Sequence, residues 1–148
     1  MFETISIEVD ARGVATLTLD RADKHNAMSA QMLAELTQAA ADLAADDAVR
    51  VVVLAAAGRT FCAGGDLGWM RDQMGMDATT RSAEARRLAE MLQALNSLPK
   101  PLIGAVQGNA FGGGVGIACV CDVVIGAETA KLGLTETRLG LIPATIGP

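Results

Sequence analysis

Aromatic residues are scarce in this 148-residue sequence, which has three phenylalanines, one tryptophan and no tyrosine. Histidine occurs once, as His25, and proline four times, whereas there are 16 glycines. Small residues let backbone segments approach closely, and few large side chains are present to fill a pocket. Because 51% of the residues are hydrophobic, disorder is excluded and a globular fold is expected. The length predicts one domain, residues 1–148.

Positive charge, cysteine and long apolar runs are also limited. Twelve Lys and Arg stand against 17 Asp and Glu, a net charge of −5, which argues against a nucleic-acid partner. No stretch of 18 apolar residues and no signal-peptide pattern occurs, so we expect no membrane span and a cytoplasmic protein. Cys62, Cys119 and Cys121 form neither a disulfide framework nor a zinc pattern, so we expect free, mostly buried thiols and no metal site.

Hydrophobic periodicity predicts an α/β chain. The predicted strands are a hairpin at 5–9 and 14–19 and three buried runs at 50–56, 102–106 and 122–125. The predicted helices lie at roughly 29–45, from Asp66 or Leu67, at 77–98 and near 115–121. Strand and helix alternate in a βαβ pattern typical of a parallel sheet.

Two glycine-rich segments each follow a predicted strand: residues 61–67 (Phe-Cys-Ala-Gly-Gly-Asp-Leu) and residues 108–116 (Gly-Asn-Ala-Phe-Gly-Gly-Gly-Val-Gly). Backbone N–H groups are unpaired at such positions, and glycine lets an acceptor reach them. The second segment fits neither the dinucleotide fingerprint nor the P-loop. Two alternatives remain: an oxyanion hole, which stabilises charge developing on a carbonyl oxygen, or tight turns that serve only close packing.

Glu136 lies in an apolar frame, residues 132–143. Such surroundings disfavour a charged carboxylate and suit a general acid or base. A solvated loop glutamate or a partner of Arg138 is also compatible with the sequence. His25 has no identifiable partner for nucleophilic catalysis, so we expect it to be exposed or to order its loop.

These segments, in this order, resemble the crotonase (enoyl-CoA hydratase/isomerase) family over essentially the whole chain. The segments that carry the resemblance are residues 21–29 and 61–67, residues 100–114 (Lys-Pro-Leu-Ile-Gly-Ala-Val-Gln-Gly-Asn-Ala-Phe-Gly-Gly-Gly), Cys121-Asp122, Leu132-Gly-Leu-Thr-Glu136 and Leu139-Gly-Leu-Ile-Pro143. The resemblance implies the ClpP/crotonase-like α/β fold, with stacked ββα and βαβ units in a spiral. It also implies that residues 1–148 are an N-terminal core without the family's C-terminal helical region, which would continue from residues 142–148. We therefore expect the chain to expose an apolar patch.

The resemblance implies an enzyme acting on an acyl-CoA thioester, with coenzyme A as part of the substrate and no other cofactor. The backbone N–H groups of Gly65 and Gly113 match the oxyanion hole, and Glu136 matches a catalytic glutamate. The implied substrate contacts are Lys24, near the CoA phosphates, and the backbone from Ala63 to Leu67, which includes Ala63, Gly64, Asp66 and Leu67. Homo-oligomers, either trimers or dimers of trimers, are implied as well.

The main departure from the family pattern is Gly116, which stands where family hydratases commonly have a second glutamate. Three interpretations stay open. Glu136 alone activates water and returns a proton to the α-carbon, or it shuttles a proton between carbons as in the isomerase branch, or the chain is a non-catalytic acyl-CoA-binding or assembly subunit. Residues 108–116 and 133–144 look most like bacterial hydratases of branched glutaconyl-CoA esters, the methylglutaconyl-CoA type of leucine degradation and its terpenoid-chain relatives.

Overall fold

The computed structural model describes residues 1–143 and 146. Its strands are β1 (Ile5–Val9), β2 (Val14–Leu19), β3 (Val51–Ala56), β4 (Thr60–Cys62), β5 (Leu102–Val106), β6 (Asn109–Phe111), β7 (Val123–Gly126) and β8 (Leu132–Gly133). Its helices are α1 (Ala30–Ala45), α2 (Leu67–Met74), α3 (Ala78–Asn96) and α4 (Gly113–Cys119), with 3₁₀ helices at Ala22–Lys24 and Glu136–Leu139. The predicted α/β organisation is confirmed. The predicted start of a continuation at 142–148 lies partly outside the described residues.

The larger sheet has five strands in the order β1-β2-β3-β5-β7. β1 and β2 form the predicted antiparallel hairpin, and the remaining neighbours pair in parallel. Asp10 orders the hairpin turn, because its side chain accepts the backbone N–H groups of Arg12 and Val14, and Gly13 supplies a left-handed φ of 78°. Parallel pairing requires crossover connections, and α1 and α3 provide two of them.

The core lies where α1 and α3 pack together over the larger sheet. Ser29 caps α1 by accepting the N–H of Met32, and the apolar stripe that follows is buried as its spacing predicts. The largest fully buried side chains are Phe61, Leu17, Leu19, Met28, Met32, Leu33, Leu36, Leu54, Met91, Leu95, Leu102 and Ile117. This core holds the sheet and the chain segments that leave its strands in fixed positions.

A second parallel sheet, β4-β6-β8, lies where the sequence predicts loops. Its strands have only two or three residues, too few for a recognisable alternation of apolar and polar side chains. Close approach of the strands depends on glycine, since a Cβ on Gly108 would overlap the carbonyl oxygen of Arg59. The second sheet brings the two glycine segments next to each other.

The prediction that strand 122–125 is buried is wrong. Val123, Val124 and Ile125 are 55%, 42% and 67% exposed. Among the described residues, β7 is an edge strand that pairs only with β5, and neither of its faces is covered. Further exposed apolar side chains follow at Leu132, Leu134, Leu139, Leu141 and Ile142, so exposed apolar surface is present in this part of the chain, as expected.

Two further predictions need correction. Helix α4 begins at Gly113, inside the second glycine segment, and ends at Cys119 instead of extending to 121. Of the thiols, Cys62 is buried, Cys121 is partly buried and Cys119 is exposed because it ends α4 at the surface. Burial raises the pKa of Cys62 to about 11, although the Gly64 N–H opposes this shift, so the thiol stays protonated at neutral pH.

Within residues 1–143 and 146, no helix is long and apolar enough to cross a membrane. The same residues contain no cluster of three or more His, Cys, Asp or Glu that could hold a metal ion.

Candidate functional site

A cavity of about 310 Å³, which we call the glycine cavity, lies where the two glycine segments meet the 3₁₀ helix Glu136–Leu139. Its lining residues are Lys24, His25, Ala27, Ala63, Gly64, Gly65, Leu67, Met70, Gly112, Gly113, Thr135, Glu136, Leu139 and Leu141. Every site residue predicted from the sequence lines it, with the exception of Asp66. The fold therefore brings both glycine segments and the candidate carboxylate to one place.

The two glycine segments contact each other through bare backbone. A Cβ on Gly64 would stand 2.9 Å from the carbonyl oxygen of Phe111 and 3.7 Å from the backbone nitrogen of Gly113. A Cβ on Gly114 would stand 2.5 Å from the carbonyl oxygen of Cys62. Glycine is thus required on both sides of the contact, so close packing, one of the two alternatives, is part of the explanation for these glycines.

Close packing does not account for two backbone N–H groups that belong to residues lining the glycine cavity, those of Gly65 and Gly113. Gly113 is the first residue of α4, where an N–H has no intrahelical acceptor. On either side of Gly65, the Met28 N–H donates to the carbonyl oxygen of Gly64 at 2.8 Å, and the Asp66 N–H donates to the carbonyl oxygen of Met28 at 2.9 Å. Neither the Gly65 N–H nor the Gly113 N–H donates to any residue that the structure describes. Two such donors at one cavity suit an oxygen that carries negative charge.

The carboxylate of Glu136 faces Gly112. A Cβ on Gly112 would stand 2.9 Å from Glu136 Oε1, and Gly112 itself has a left-handed φ of 52°. Glu136 Oε2 is buried and has no hydrogen-bond partner in the described part of the chain. Arg138 forms no ion pair with it among the same residues. A buried carboxylate oxygen without a partner is uncommon in proteins, and it is available to a ligand or a water molecule.

Asp66, for which the resemblance implies a substrate contact through the backbone, does not line the glycine cavity, and its side chain has a structural role. Its Oδ1 accepts the N–H groups of Gly68 and Trp69 and so caps α2, while its Oδ2 accepts from Arg21 Nη2 at 3.1 Å. Burial opposes ionisation of Asp66, but the Trp69 N–H, the Arg21 guanidinium and the Gly68 N–H outweigh it and lower the pKa of the carboxyl. Asp66 therefore fixes the position of the first glycine segment.

Asn26 is a structural residue of the site to which no sequence pattern pointed. It is buried, its Oδ1 accepts the Arg21 N–H at 2.9 Å, and its Nδ2 donates to the carbonyl oxygens of Ala57 and Thr60 at 2.8 Å each. Asn26 and His25 have φ values of 54° and 52°, a left-handed conformation that asparagine adopts more readily than most residues. The one feature of the sequence that could have indicated this role is the presence of an asparagine in a polar loop.

The loop that Asn26 anchors carries Lys24 and His25 to the glycine cavity. Both residues are exposed, and His25 Nδ1 lies 3.2 Å from Thr60 Oγ1. The backbone carbonyl of His25 also accepts the N–H of Ala63 at 3.0 Å. His25 is therefore exposed and orders its loop, as expected, and Lys24 places a positive charge beside the first glycine segment.

A family model described as enoyl-CoA hydratase/isomerase matches residues 10–148. Enoyl-CoA hydratase AKT6-1 of Alternaria alternata is 37% identical over 134 residues, which are 90% of this chain and 43% of that protein. A crystal structure of an enoyl-CoA hydratase from Shewanella pealeana matches with a TM-score of 0.95 and 41% identity, over 99% of this chain and 55% of that one. Pseudomonas aeruginosa AtuE matches with a TM-score of 0.93 and 40% identity, over 99% and 56%. The chain thus spans about half the length of the relatives it matches.

Proposed function

The chain belongs to the enoyl-CoA hydratase/isomerase family and has the predicted crotonase fold, and from that premise we propose that the glycine cavity binds an acyl-CoA thioester and that the protein adds water to its double bond. The observation that carries the proposal is the buried Oε2 of Glu136, which has no hydrogen-bond partner among the described residues and shares this cavity with Gly65 and Gly113. The proposed activity is that of a carbon–oxygen lyase, and coenzyme A enters as part of the substrate.

In the proposed mechanism, Gly65 and Gly113 donate their backbone N–H groups to the thioester carbonyl oxygen. Glu136 takes a proton from a water molecule while the oxygen of that water bonds to the β-carbon. The electron pair of the double bond moves towards the carbonyl and gives an enolate. The carbonyl oxygen carries more negative charge in the enolate than in the substrate. The two N–H groups therefore stabilise the enolate more than the substrate. Glu136 then returns the proton to the α-carbon, which yields a 3-hydroxyacyl thioester.

Coenzyme A would lie along the first glycine segment. The backbone of Ala63, Gly64 and Leu67 borders the glycine cavity, and Lys24 adds a positive charge that complements phosphate. Asp66 holds this segment in place through Arg21 and the start of α2. In this proposal Asp66 supports the binding surface without touching the substrate.

The surroundings of Gly116 support a mechanism with a single carboxylate. A Cβ at this position would stand 2.7 Å from Cγ2 of Ile146 and 3.4 Å from Cδ1 of Leu92. The space that a second glutamate would need is therefore bordered closely by apolar side chains. The same observation is compatible with an isomerase, in which Glu136 moves a proton between carbons, and this is the alternative function.

Replacing Glu136 by glutamine tests the proposal, because the amide keeps the shape of the side chain but accepts no proton. We expect kcat to fall by at least about 100-fold while the Kd for a saturated acyl-CoA is kept. Glu128→Gln, at an exposed position, is the matched control. Turnover of Glu136→Gln at the wild-type rate would rule out this role of Glu136. Binding without turnover by the wild-type protein would identify a non-catalytic acyl-CoA-binding subunit.

Products formed in deuterium oxide separate the hydratase from the isomerase. A hydratase yields the 3-hydroxyacyl product with deuterium at the α-carbon, whereas an isomerase moves the double bond without net addition of water. A panel of straight-chain, 3-methyl and glutaconyl CoA esters then identifies the acyl group. We propose a branched, 3-methylglutaconyl-CoA-like substrate, as in leucine degradation, and a higher kcat/KM for a straight-chain ester would contradict this assignment.

We also propose a cytoplasmic homo-oligomer, a trimer or a dimer of trimers, that binds neither nucleic acid nor membranes. The exposed apolar side chains between residues 123 and 142 support an assembly, because such surface is commonly covered by protein. Light scattering on the protein at its full natural length tests the assembly, and a monomer would contradict it. Cell fractionation tests the compartment.

A further inference from the structure

Helix α2, which follows the first glycine segment, packs one of its side chains against Gly65. A Cβ added to Gly65 would stand 3.2 Å from Sδ of Met70 and 3.5 Å from its Cγ. Met70 also lines the glycine cavity, as Gly65 does. The position of α2 therefore determines how the residue with one of the two candidate oxyanion donors is packed.

The hydrophobic core holds α2 only loosely, because each of its eight residues is at least partly exposed. Asp66 caps the first turn, and a second contact holds the helix further along. Trp69 donates its indole N–H to Oε2 of Glu84, a residue of α3, at 3.0 Å. Trp69 precedes Met70 in the sequence, so this hydrogen bond ties α2 to α3 beside the side chain that packs against Gly65.

Glu84 is in turn joined to the start of α1 by Arg87. Arg87 Nη1 donates to Glu84 Oε1 at 3.0 Å, and Nη2 donates to the carbonyl oxygen of Ala30 at 3.1 Å. The side chain of Glu84 is 19% exposed, so water screens these contacts less than it screens an open surface pair. Hydrogen bonds from Trp69 and Arg87 lower the pKa of Glu84, which is therefore ionised at neutral pH and accepts charge-assisted hydrogen bonds.

The contacts return to Gly65 through Met28, which lies two residues before Ala30. The Met28 N–H donates to the carbonyl oxygen of Gly64, and the Met28 carbonyl oxygen accepts the Asp66 N–H, so that Met28 pairs with Gly65 as in a parallel sheet. The result is a closed ring of contacts, which we call the Gly65 ring: Gly65, Met70, Trp69, Glu84, Arg87, Ala30 and Met28. Within this ring, Glu84 is the charged acceptor that links α2 to α1.

We propose that Glu84 is a positioning residue of the oxyanion hole: through Trp69 it holds α2 so that Met70 keeps Gly65 in place. The proposal rests on the proposed function, because it takes the Gly65 N–H as a donor to the thioester oxygen. Donors of this kind stabilise developing charge best when they are held in position before the reaction. Glu84 does not line the glycine cavity, so its effect on the reaction passes through the packing around Gly65.

Replacing Glu84 by alanine removes both hydrogen bonds and tests the proposal in the protein at its full natural length. With but-2-enoyl-CoA as the substrate, we expect kcat to fall about 3- to 10-fold and KM to change by less than about twofold, because a misplaced oxyanion donor costs more in the transition state than in the bound substrate. Glu84→Gln keeps an oxygen that accepts the indole N–H and should recover most of the lost activity. Glu90→Ala, at an exposed position of α3, is the matched control and should leave both constants unchanged.

Double substitutions show whether the effect passes through Trp69 and Met70. Trp69→Phe removes the indole N–H, so adding Glu84→Ala to it should lower kcat further by less than about twofold. The same is expected in a Met70→Ala background, where the side chain that packs against Gly65 is absent. Equal losses of kcat from Glu84→Ala in the wild-type and Met70→Ala backgrounds would overturn the proposal, since the effect would then not pass through Met70.

The absorption spectrum of bound hexa-2,4-dienoyl-CoA gives a readout that a purely structural role of Glu84 would not change. Hydrogen bonds to the thioester oxygen polarise this conjugated ester and move its absorption to longer wavelength. The Glu136→Gln background should bind the ester without adding water to it. In that background and at saturating protein, Glu84→Ala should reduce the shift in wavelength, whereas Glu90→Ala should not.

The outcomes separate the proposal from the function on which it rests. If Glu84→Ala leaves the absorption shift at its full size, the proposal is overturned and the proposed function stands, whether or not the variant is less stable in urea. If the wild-type protein neither converts but-2-enoyl-CoA nor binds the dienoyl ester, the proposed function fails and the proposal with it.

Discussion

The carboxylate of Glu136 lies beside Gly112, so that a Cβ added to Gly112 would stand 2.9 Å from Glu136 Oε1. The second sheet produces this contact, because β6 pairs with β8 and the Gly112 N–H donates to the carbonyl oxygen of Gly133 at 2.9 Å. Glu136 follows β8 by three residues and is thereby held beside the second glycine segment. The position of the carboxylate depends on a short strand pairing between segments far apart in the sequence.

Gly112→Ala should therefore damage both activity and stability. Gly112 has φ 52° and ψ −123°, a conformation that strains any residue with a Cβ, and the new methyl group would displace the Glu136 carboxylate. We expect kcat to fall at least about tenfold and the free energy of unfolding to fall by about 1–3 kcal/mol. Steady-state kinetics and urea denaturation measure the two effects.

Gly126→Ala is the control for this substitution, since a Cβ at Gly126 would meet nothing within 4 Å. Its free energy of unfolding should stay within about 0.5 kcal/mol of wild type, with unchanged kcat. A Gly112→Ala protein with wild-type kcat would show that the contact does not position Glu136.

Adding the second carboxylate of the family hydratases should not improve this protein. In Gly116→Glu the Cβ alone would stand 2.7 Å from Cγ2 of Ile146, so the Ile146 side chain would have to move to admit it. We expect a loss of about 1–3 kcal/mol in the free energy of unfolding and no gain in hydration rate. Gly116→Ala should lose less, and combining it with Ile146→Ala should recover part of the loss. A stable Gly116→Glu protein with faster hydration would refute the single-carboxylate mechanism.

The larger sheet and the long helices could be predicted because their elements are long enough to show a period. The alternation over 14–19 and the apolar stripe of α1 both appear in the structure. The second sheet could not be predicted, since strands of two or three residues contain no period and their pairing is entirely long-range. The exposure of β7 was also missed, because an apolar strand sequence does not show whether the rest of the chain covers it.

The residues of the site also fall into those that local sequence indicated and those that depend on long-range contacts. The spacing of the glycine segments and Glu136 pointed to residues that the fold does bring to one cavity. The residues that hold these segments in place, Asn26 and the Arg21–Asp66 pair, act through contacts across 31 to 45 positions of sequence. No local pattern reports such contacts, so the sequence did not indicate that the Asp66 side chain holds the loop.

Asn26→Ala should disturb the loop that borders the glycine cavity. The substitution removes hydrogen bonds to Arg21, Ala57 and Thr60 and places alanine in a left-handed conformation. We expect the free energy of unfolding to fall by about 2–4 kcal/mol and KM for the CoA ester to rise more than kcat falls. Asp23→Ala, at an exposed position of the same loop, should leave both unchanged. A wild-type KM in Asn26→Ala would show that the loop is held by other contacts.

Glu35 joins α1 to the N-terminal segment and should make stability depend on pH. The residue is only 5% exposed, and its carboxylate accepts the N–H groups of Glu3 and Thr4 at 2.8 Å and the Thr4 hydroxyl at 2.5 Å. Burial opposes ionisation, but the hydrogen bonds from Thr4, Gln31 and Glu3 outweigh it and lower the pKa from 4.5 to about 2. The folded protein therefore favours the ionised form more strongly than the unfolded chain does.

The resulting stabilisation should be complete above about pH 4.5 and should be lost as the pH falls from there towards 2, the pKa of Glu35 in the folded state. We expect wild type to lose up to about 3 kcal/mol more than Glu35→Gln over this range, because only the wild-type protein takes up this proton on unfolding. At neutral pH, Glu35→Gln should be less stable by about 1–3 kcal/mol, since the amide replaces a charged acceptor. Urea denaturation between pH 2 and 7 measures both differences, and Glu8→Gln, at an exposed position of β1, should follow the wild-type curve. If wild type and Glu35→Gln lose stability in parallel as the pH falls, the hydrogen bonds to Glu35 do not set the acid sensitivity of the fold.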